Sequence, residues 1–171
     1  MTVTAEDHLL AAELATRAGL RLLRLREEGH PPDELRALGD AEANAYLVAS
    51  ITATCPRDGL LSEESVDDKT RLGKSRVWIV DPLDGTREFG EAGRTDFAVH
   101  VALCVDGDPL VGAVALPGRD LLLSTARAQP VAAPRPPGAA LRLVVSRSRP
   151  PALTLALAAE MDAELVEMGS A

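Results

Sequence analysis

Between residues 5 and 28, leucines at positions 9, 10, 14, 20, 22, 23 and 25 recur among charged residues in a helical rhythm. Gly29-His30-Pro31-Pro32 ends that rhythm, and a second helix is expected over residues 40–54. The run Val77-Trp78-Ile79-Val80 is short, β-branched and aromatic, as a buried strand would be. Pro82 offers no amide donor and holds Asp81 extended, so the strand should stop at Asp81. Beyond it, Gly85 permits a tight turn and Thr86-Arg87-Glu88-Phe89 opens a short helix. Residues 96–105, 110–116 and 121–125 read as strands joined by Asp106-Gly107-Asp108-Pro109 and Pro117-Gly118-Arg119-Asp120, an antiparallel meander. A Pro-rich stretch at 129–138 then closes an N-terminal α+β domain, residues 1–138. Strand 141–146, helix 152–161 and the start of a strand at 165–167 make residues 139–171 the beginning of a second, α/β domain. There is no internal repeat.

The turn after the Trp78 strand carries the chemistry. Hard cations such as Mg²⁺ take oxygen from carboxylates, carbonyls and hydroxyls and leave positions for water and phosphate. Asp81-Pro82-Leu83-Asp84-Gly85-Thr86 offers two carboxylates, a carbonyl at Leu83 where the proline breaks the strand, and the Thr86 hydroxyl. Amide groups at the start of the following helix point back toward the carboxylates and suit phosphate oxygens. Upstream, Ser62-Glu63-Glu64-Ser65 adds two more acids. If the fold gathers all four, each raises its neighbours' pKa, and the cluster must take up protons or cations. Two ions about 3.5–4 Å apart are a common arrangement for cleaving phosphate esters.

Composition narrows the partners. A hydrophobic content of 46% is enough for a core, and with aromatics at 2% that core must be built of Leu, Val and Ala. A formal charge of −8 argues against a nucleic-acid polymer or an anionic membrane as partner. A small anionic substrate would need metals or local arginines, for which Arg87, Arg94, Arg147 and Arg149 are candidates. No apolar stretch matches a bilayer, and Met1-Thr2-Val3-Thr4-Ala5-Glu6-Asp7 is acidic rather than a signal peptide, so a cytoplasmic location is expected. Cys55 and Cys104 lack metal or redox spacing and read as free thiols. His8, His30 and His100 are dispersed, and His100, on the alanine side of its strand, reads as structural or surface-exposed.

Ser62-Glu63-Glu64-Ser65 followed by Trp78-Ile79-Val80-Asp81-Pro82-Leu83-Asp84-Gly85-Thr86 resembles the signature of the inositol monophosphatase superfamily, Mg²⁺-dependent and lithium-sensitive sugar and nucleotide phosphatases. The continuation Arg87-Glu88-Phe89 is similar to the CysQ-type 3′-phosphoadenosine 5′-phosphate phosphatase branch. The resemblance implies a layered α/β/α/β sugar-phosphatase-like architecture, with an antiparallel first sheet and an incomplete second α/β domain. It implies a Mg²⁺-dependent phosphomonoesterase that removes the 3′-phosphate by attack of a metal-activated water, with two or three Mg²⁺ ions and inhibition by Li⁺. Glu63 and Asp81 would bind a first metal with the Leu83 carbonyl, and Asp81 and Asp84 a second. Glu63 and Thr86 would orient the attacking water, and Asp40, just before a helix, would support a weaker ion. Gly85 and Thr86 amides would grip phosphate, Gly169-Ser170-Ala171 would contact substrate, and Arg147, in a Ser-Arg-Ser segment, would add positive charge. The sequence does not fix an oligomeric state, although dimers are frequent in the resembled family and a homodimer is compatible with it.

One family feature is missing. The resemblance implies a further C-terminal third with a Trp-Asp motif completing the second metal site, whereas the one Trp here, Trp78, belongs to the first motif. The chain is therefore expected to lack that third, and a catalytically incomplete, weakly metal-binding fragment is one alternative. Others are inositol monophosphatase or fructose-1,6-bisphosphatase activity. A haloacid dehalogenase-type phosphatase, with an aspartyl nucleophile in DxDGT, fits less well: here two residues rather than one separate the aspartates.

Overall fold

The computed structural model describes residues 2–127, 136 and 138–169. Two helices come first, α1 (Ala5–Glu27) and α2 (Pro32–Thr54). Thr4 caps α1: its side chain accepts from the Asp7 amide while the Asp7 carboxylate accepts from the Thr4 amide at 2.8 Å. The second helix begins eight residues before its expected start. Pro32 at the first position sacrifices no needed donor, and Asp33 and Glu34 suit the positive end of the helix. Asp40 consequently lies inside α2 rather than ahead of a helix.

Both helices cover one face of a five-stranded sheet in the order β1-β2-β3-β4-β5: β1 (Gly59–Ser62), β2 (Arg76–Asp84), β3 (Ala98–Val105), β4 (Asp108–Leu116) and β5 (Leu121–Ser124). Strands β3 to β5 form the expected antiparallel meander, and β2 extends it by pairing antiparallel to β3. The sheet is mixed because β1 pairs parallel to β2, with Ser62 opposite Val80. A parallel partner needs a crossover, which residues 63–75 supply.

The core lies between helices and sheet. Leu14, Leu22, Leu47 and Ile51 pack with Trp78, Val80, Val99, Val101 and Leu103, all essentially removed from water. Each such side chain contributes about 1.5–3 kcal/mol by burial, so this face holds the scaffold together with few aromatics. The alternate residues of β2 and β3, Ile79, Asp81, His100 and Ala102 among them, face the other way. That parity brings the acidic turn to the open side of the sheet.

Most of the 129–138 linker lies outside the described residues, and beyond it a second sheet follows. Strands β6 (Arg142–Ser146) and β7 (Glu164–Met168) pair in parallel, joined through α4 (Ala152–Glu160). Cys55 and Cys104 are free thiols, each half-buried. Among the described residues no helix is long and apolar enough to cross a membrane.

Candidate metal and phosphate site

Three elements converge at the end of β2. Pro82 does not stop the strand at Asp81 as expected. The strand continues to Asp84, and the register with β3 shifts between Asp81, which pairs with His100, and Asp84, which pairs with Ala98. The irregularity absorbs the proline and turns both aspartates to one side. Gly85 follows at φ 82°, and the short helix α3 (Thr86–Phe89) starts immediately after it. A side chain at Gly85 would be strained in φ and would press on the Asp96 carbonyl at 2.9 Å.

Helix α2 supplies the second wall. At Gly39 it approaches so closely that a β-carbon would meet Phe89 Cε1 at 2.6 Å and Leu83 Cδ2 at 2.9 Å. The next residue, Asp40, is thereby brought to the turn, with Oδ1 3.3 Å from the Thr86 hydroxyl. That hydroxyl also lies 3.0 Å from the Leu83 carbonyl, to which it can donate instead. One helical turn on, Asn44 accepts from the Ser62 hydroxyl at 2.7 Å and donates to Ser65 at 3.1 Å. This bracket fixes the loop that carries Glu63 and Glu64, while the Glu63 amide donates to Val80, one residue before Asp81, at 3.4 Å.

The electrostatics match the expected crowding. Burial pushes the Asp40 carboxyl up to about 6, with Glu64, Asp81 and Glu63 adding repulsion against the Thr86 hydrogen bond. Burial likewise pushes Asp81 up to about 6, reinforced by Glu63 and Asp84 and opposed by His100 and the Leu83 amide. Among the described residues, Asp81, Asp84 and His100 form a donor group whose ligating atoms all lie within 4.8 Å of one another. Glu63 stands outside that trio but lines the same groove, about 560 Å³, together with Leu61, Ile79 and Ala102.

His100 was missed. It sits directly across from Asp81, and its Nε2 is 3.3 Å from Asp84 Oδ2, a contact that raises the imidazole pKa against the effect of burial. The signal was available, because cross-strand partners share a face, so a meander pairing Asp81 with His100 puts the ring beside the acids.

The remaining candidates meet α3 and the segment before β3 rather than the acids. Arg147 donates from Nη2 to Glu88 at 2.7 Å and Glu91 at 3.0 Å, and its pKa is raised first by Glu88. The Gly169 amide donates to Asp96 at 3.0 Å. Both groups expected to meet substrate are thus engaged within the chain, while Ser170 and Ala171 fall outside the described residues. Of the other arginines, Arg87 pairs with Glu91 and Arg94 with Asp96.

A family model described as the inositol monophosphatase family matches residues 4–148. A protein of Mycobacterium leprae (strain TN) named 3′-phosphoadenosine 5′-phosphate phosphatase is 46% identical, the match covering 96% of this chain and 65% of that protein. The 3′(2′),5′-bisphosphate nucleotidase CysQ of Escherichia coli (strain K12) is 29% identical, over 91% of this chain and 65% of its own. The chain thus spans about two thirds, or slightly less, of the curated relatives it matches. In fold it is similar to the crystal structure of inositol monophosphatase-II from Staphylococcus aureus MSSA476, with a TM-score of 0.77 and 22% identity over 98% of this chain and 68% of that one.

Proposed function

Because this chain belongs to the inositol monophosphatase family, we propose that it carries the metal and phosphate machinery of a Mg²⁺-dependent phosphomonoesterase that removes the 3′-phosphate of 3′-phosphoadenosine 5′-phosphate. The observation that carries this reading is the meeting of Asp40, Glu63, Asp81, Asp84 and Thr86 at the turn that ends β2. The nucleotide is favoured by the name shared by relatives 43–46% identical.

The donor set fits Mg²⁺. Carboxylates and a strand-end carbonyl are hard oxygen ligands, and two acids that hold protons up to about pH 6 mark a place where positive charge relieves repulsion. Glu63, Asp81 and the Leu83 carbonyl would hold one ion and Asp81 with Asp84 another, with Asp40 bordering a third, weaker one. Bound there, the cations would neutralise phosphate oxygens and acidify a water, and Li⁺ would inhibit by competing. Thr86, between Asp40 and the Leu83 carbonyl, would orient that water with Glu63 and pass a proton toward Asp40. Gly85 and Thr86 amides would hold the phosphate. Residues 1–138 form the catalytic α+β unit in this reading and residues 139–171 begin the second unit. Cytoplasmic location and a homodimer belong to the same proposal.

The test is phosphate release from 3′-phosphoadenosine 5′-phosphate and inositol 1-phosphate with Mg²⁺, with chelator and with Li⁺. Chelator-sensitive, lithium-inhibited release that prefers the nucleotide and vanishes in Asp84→Asn is expected. Release insensitive to chelator, or unchanged in Asp84→Asn, would contradict the assignment. No release, together with no Mg²⁺ binding, would leave an inherited motif without its activity.

A further inference from the structure

The helix that follows the metal turn, α3, is a single turn of four residues. So short a helix has no orientation of its own, because one hydrogen-bonded turn does not repay the cost of nucleation. Its direction is imposed by what its side chains hold. At one end the Thr86 hydroxyl lies between Asp40 and the Leu83 carbonyl. Two residues on, the Glu88 side chain is 7% exposed and points the other way, into the end of the second sheet.

Strands β6 and β7 finish in register at Ser146 and Met168, and the next residue of each reaches toward α3. Arg147 donates to Glu88 and Glu91, while its own amide donates to the Met168 carbonyl at 2.9 Å, tying the two strand tips together. Gly169 donates its amide to the buried Asp96, just ahead of β3. Gly169 also lies so close to Glu88 that any β-carbon there would fall inside the glutamate's Cγ and Cδ. A buried, flexible acid could move aside only by leaving its arginine, and an unpaired buried charge is costly. From beneath, Arg26 fixes the same segment: it donates to the Arg94 carbonyl at 2.8 Å and the Glu91 carbonyl at 2.7 Å and lies against Phe97 and Phe89.

We propose that Glu88 is a positioning residue that seats α3, and with it Gly85 and Thr86, against the carboxyl ends of β6 and β7. Docking of the second unit then sets the aim of the metal turn, and Arg147 acts as the counter-charge of Glu88 rather than as a ligand for substrate. The inference rests on the proposed function for what the turn does, but its geometric content is independent of turnover.

The experiment uses the full chain and two readouts, hydrogen exchange of the amides at 85–90 and Mg²⁺ affinity by calorimetry. Glu88→Gln should speed exchange at 85–90 by about tenfold and weaken Mg²⁺ by about 3–10-fold, with the fluorescence of Trp78, buried near the start of β2, unchanged. Glu88→Gln combined with Arg147→Gln should recover most of both, since paired amides hydrogen-bond without a stranded charge. If Glu88→Gln fails to fold, Gly169→Ala displaces the same carboxylate without changing charge and should give the same exchange pattern. Unchanged exchange and affinity in both single variants would overturn the proposal. So would a loss of phosphate-ligand binding in Arg147→Gln without any change in exchange at 85–90. Asp84→Asn separates the two readings: unchanged Mg²⁺ affinity there sinks the metal site, while exchange at 85–90 still judges Glu88.

Discussion

Strand β2 has half-buried charge at both of its ends, handled in opposite ways. At its start Arg76, 13% exposed, reaches Asp7 at 2.6 Å and Asp58 at 3.1 Å, and Trp78 donates to Asp58 at 3.0 Å. Burial pushes the Asp7 carboxyl up, yet the Arg76 and Thr4 hydrogen bonds outweigh it and hold Asp7 below its ordinary value. At the other end Asp81 and Asp40 meet mainly more acids, and both are pushed up to about 6. One end carries its cation in the sequence, and the other, in the proposed reading, would take cations from solution. Acidity alone does not mark the site; uncompensated acidity does.

The largest effect is expected where compensation is removed. Arg76→Met strands Asp7 and Asp58 in a buried setting and should cost about 3–5 kcal/mol in denaturant unfolding, with Mg²⁺ affinity per folded molecule unchanged. Asp81→Asn should do the reverse, weakening Mg²⁺ binding by at least ~100-fold in calorimetry while the metal-free protein melts no lower at pH 7.5. If both variants lost stability alike, the distinction between the two ends would collapse.

The pH dependence comes next. For Asp40 and Asp81 the folded-state pKa is above the unfolded one, so their contribution is fully present below about pH 4 and is lost as pH rises through about 6. His100, also raised, acts in the same direction. Asp7 is depressed, and its contribution is lost only as pH falls below the ordinary carboxylate range. The metal-free chain should therefore melt lower at pH 7.5 than at pH 5, by about 5 °C in calorimetry, and saturating Mg²⁺ should remove that difference. The smallest effect is that of His100→Ala, which removes the ring beside Asp84 and should weaken Mg²⁺ by about tenfold or less, without altering the fold.

The sequence showed the meander, α1, the αL glycine turn and the acid cluster, because each rests on local chemistry: turn residues between apolar runs, a leucine rhythm, carboxylates flanking Pro and Gly. What it hid was set by tertiary context. The early start of α2 was obscured by Pro31-Pro32, which read as a break although proline suits a helix's first position. Strand β1 is four residues long and is made a strand by its partner β2. Pro82 was tolerated because the register slips around it. His100 entered the site through strand pairing, and Arg147 was drawn to Glu88 across 59 positions, which no local pattern encodes.

The most direct test of the central claim is calorimetric titration of Mg²⁺ into the metal-free chain at pH 6 and pH 8, in buffers of different ionisation enthalpy. With Asp40 and Asp81 near half-protonation at pH 6, binding there should release about one proton, and at pH 8 close to none. Binding with no proton release at pH 6, or no binding at either pH, would contradict a cation site built on those two acids.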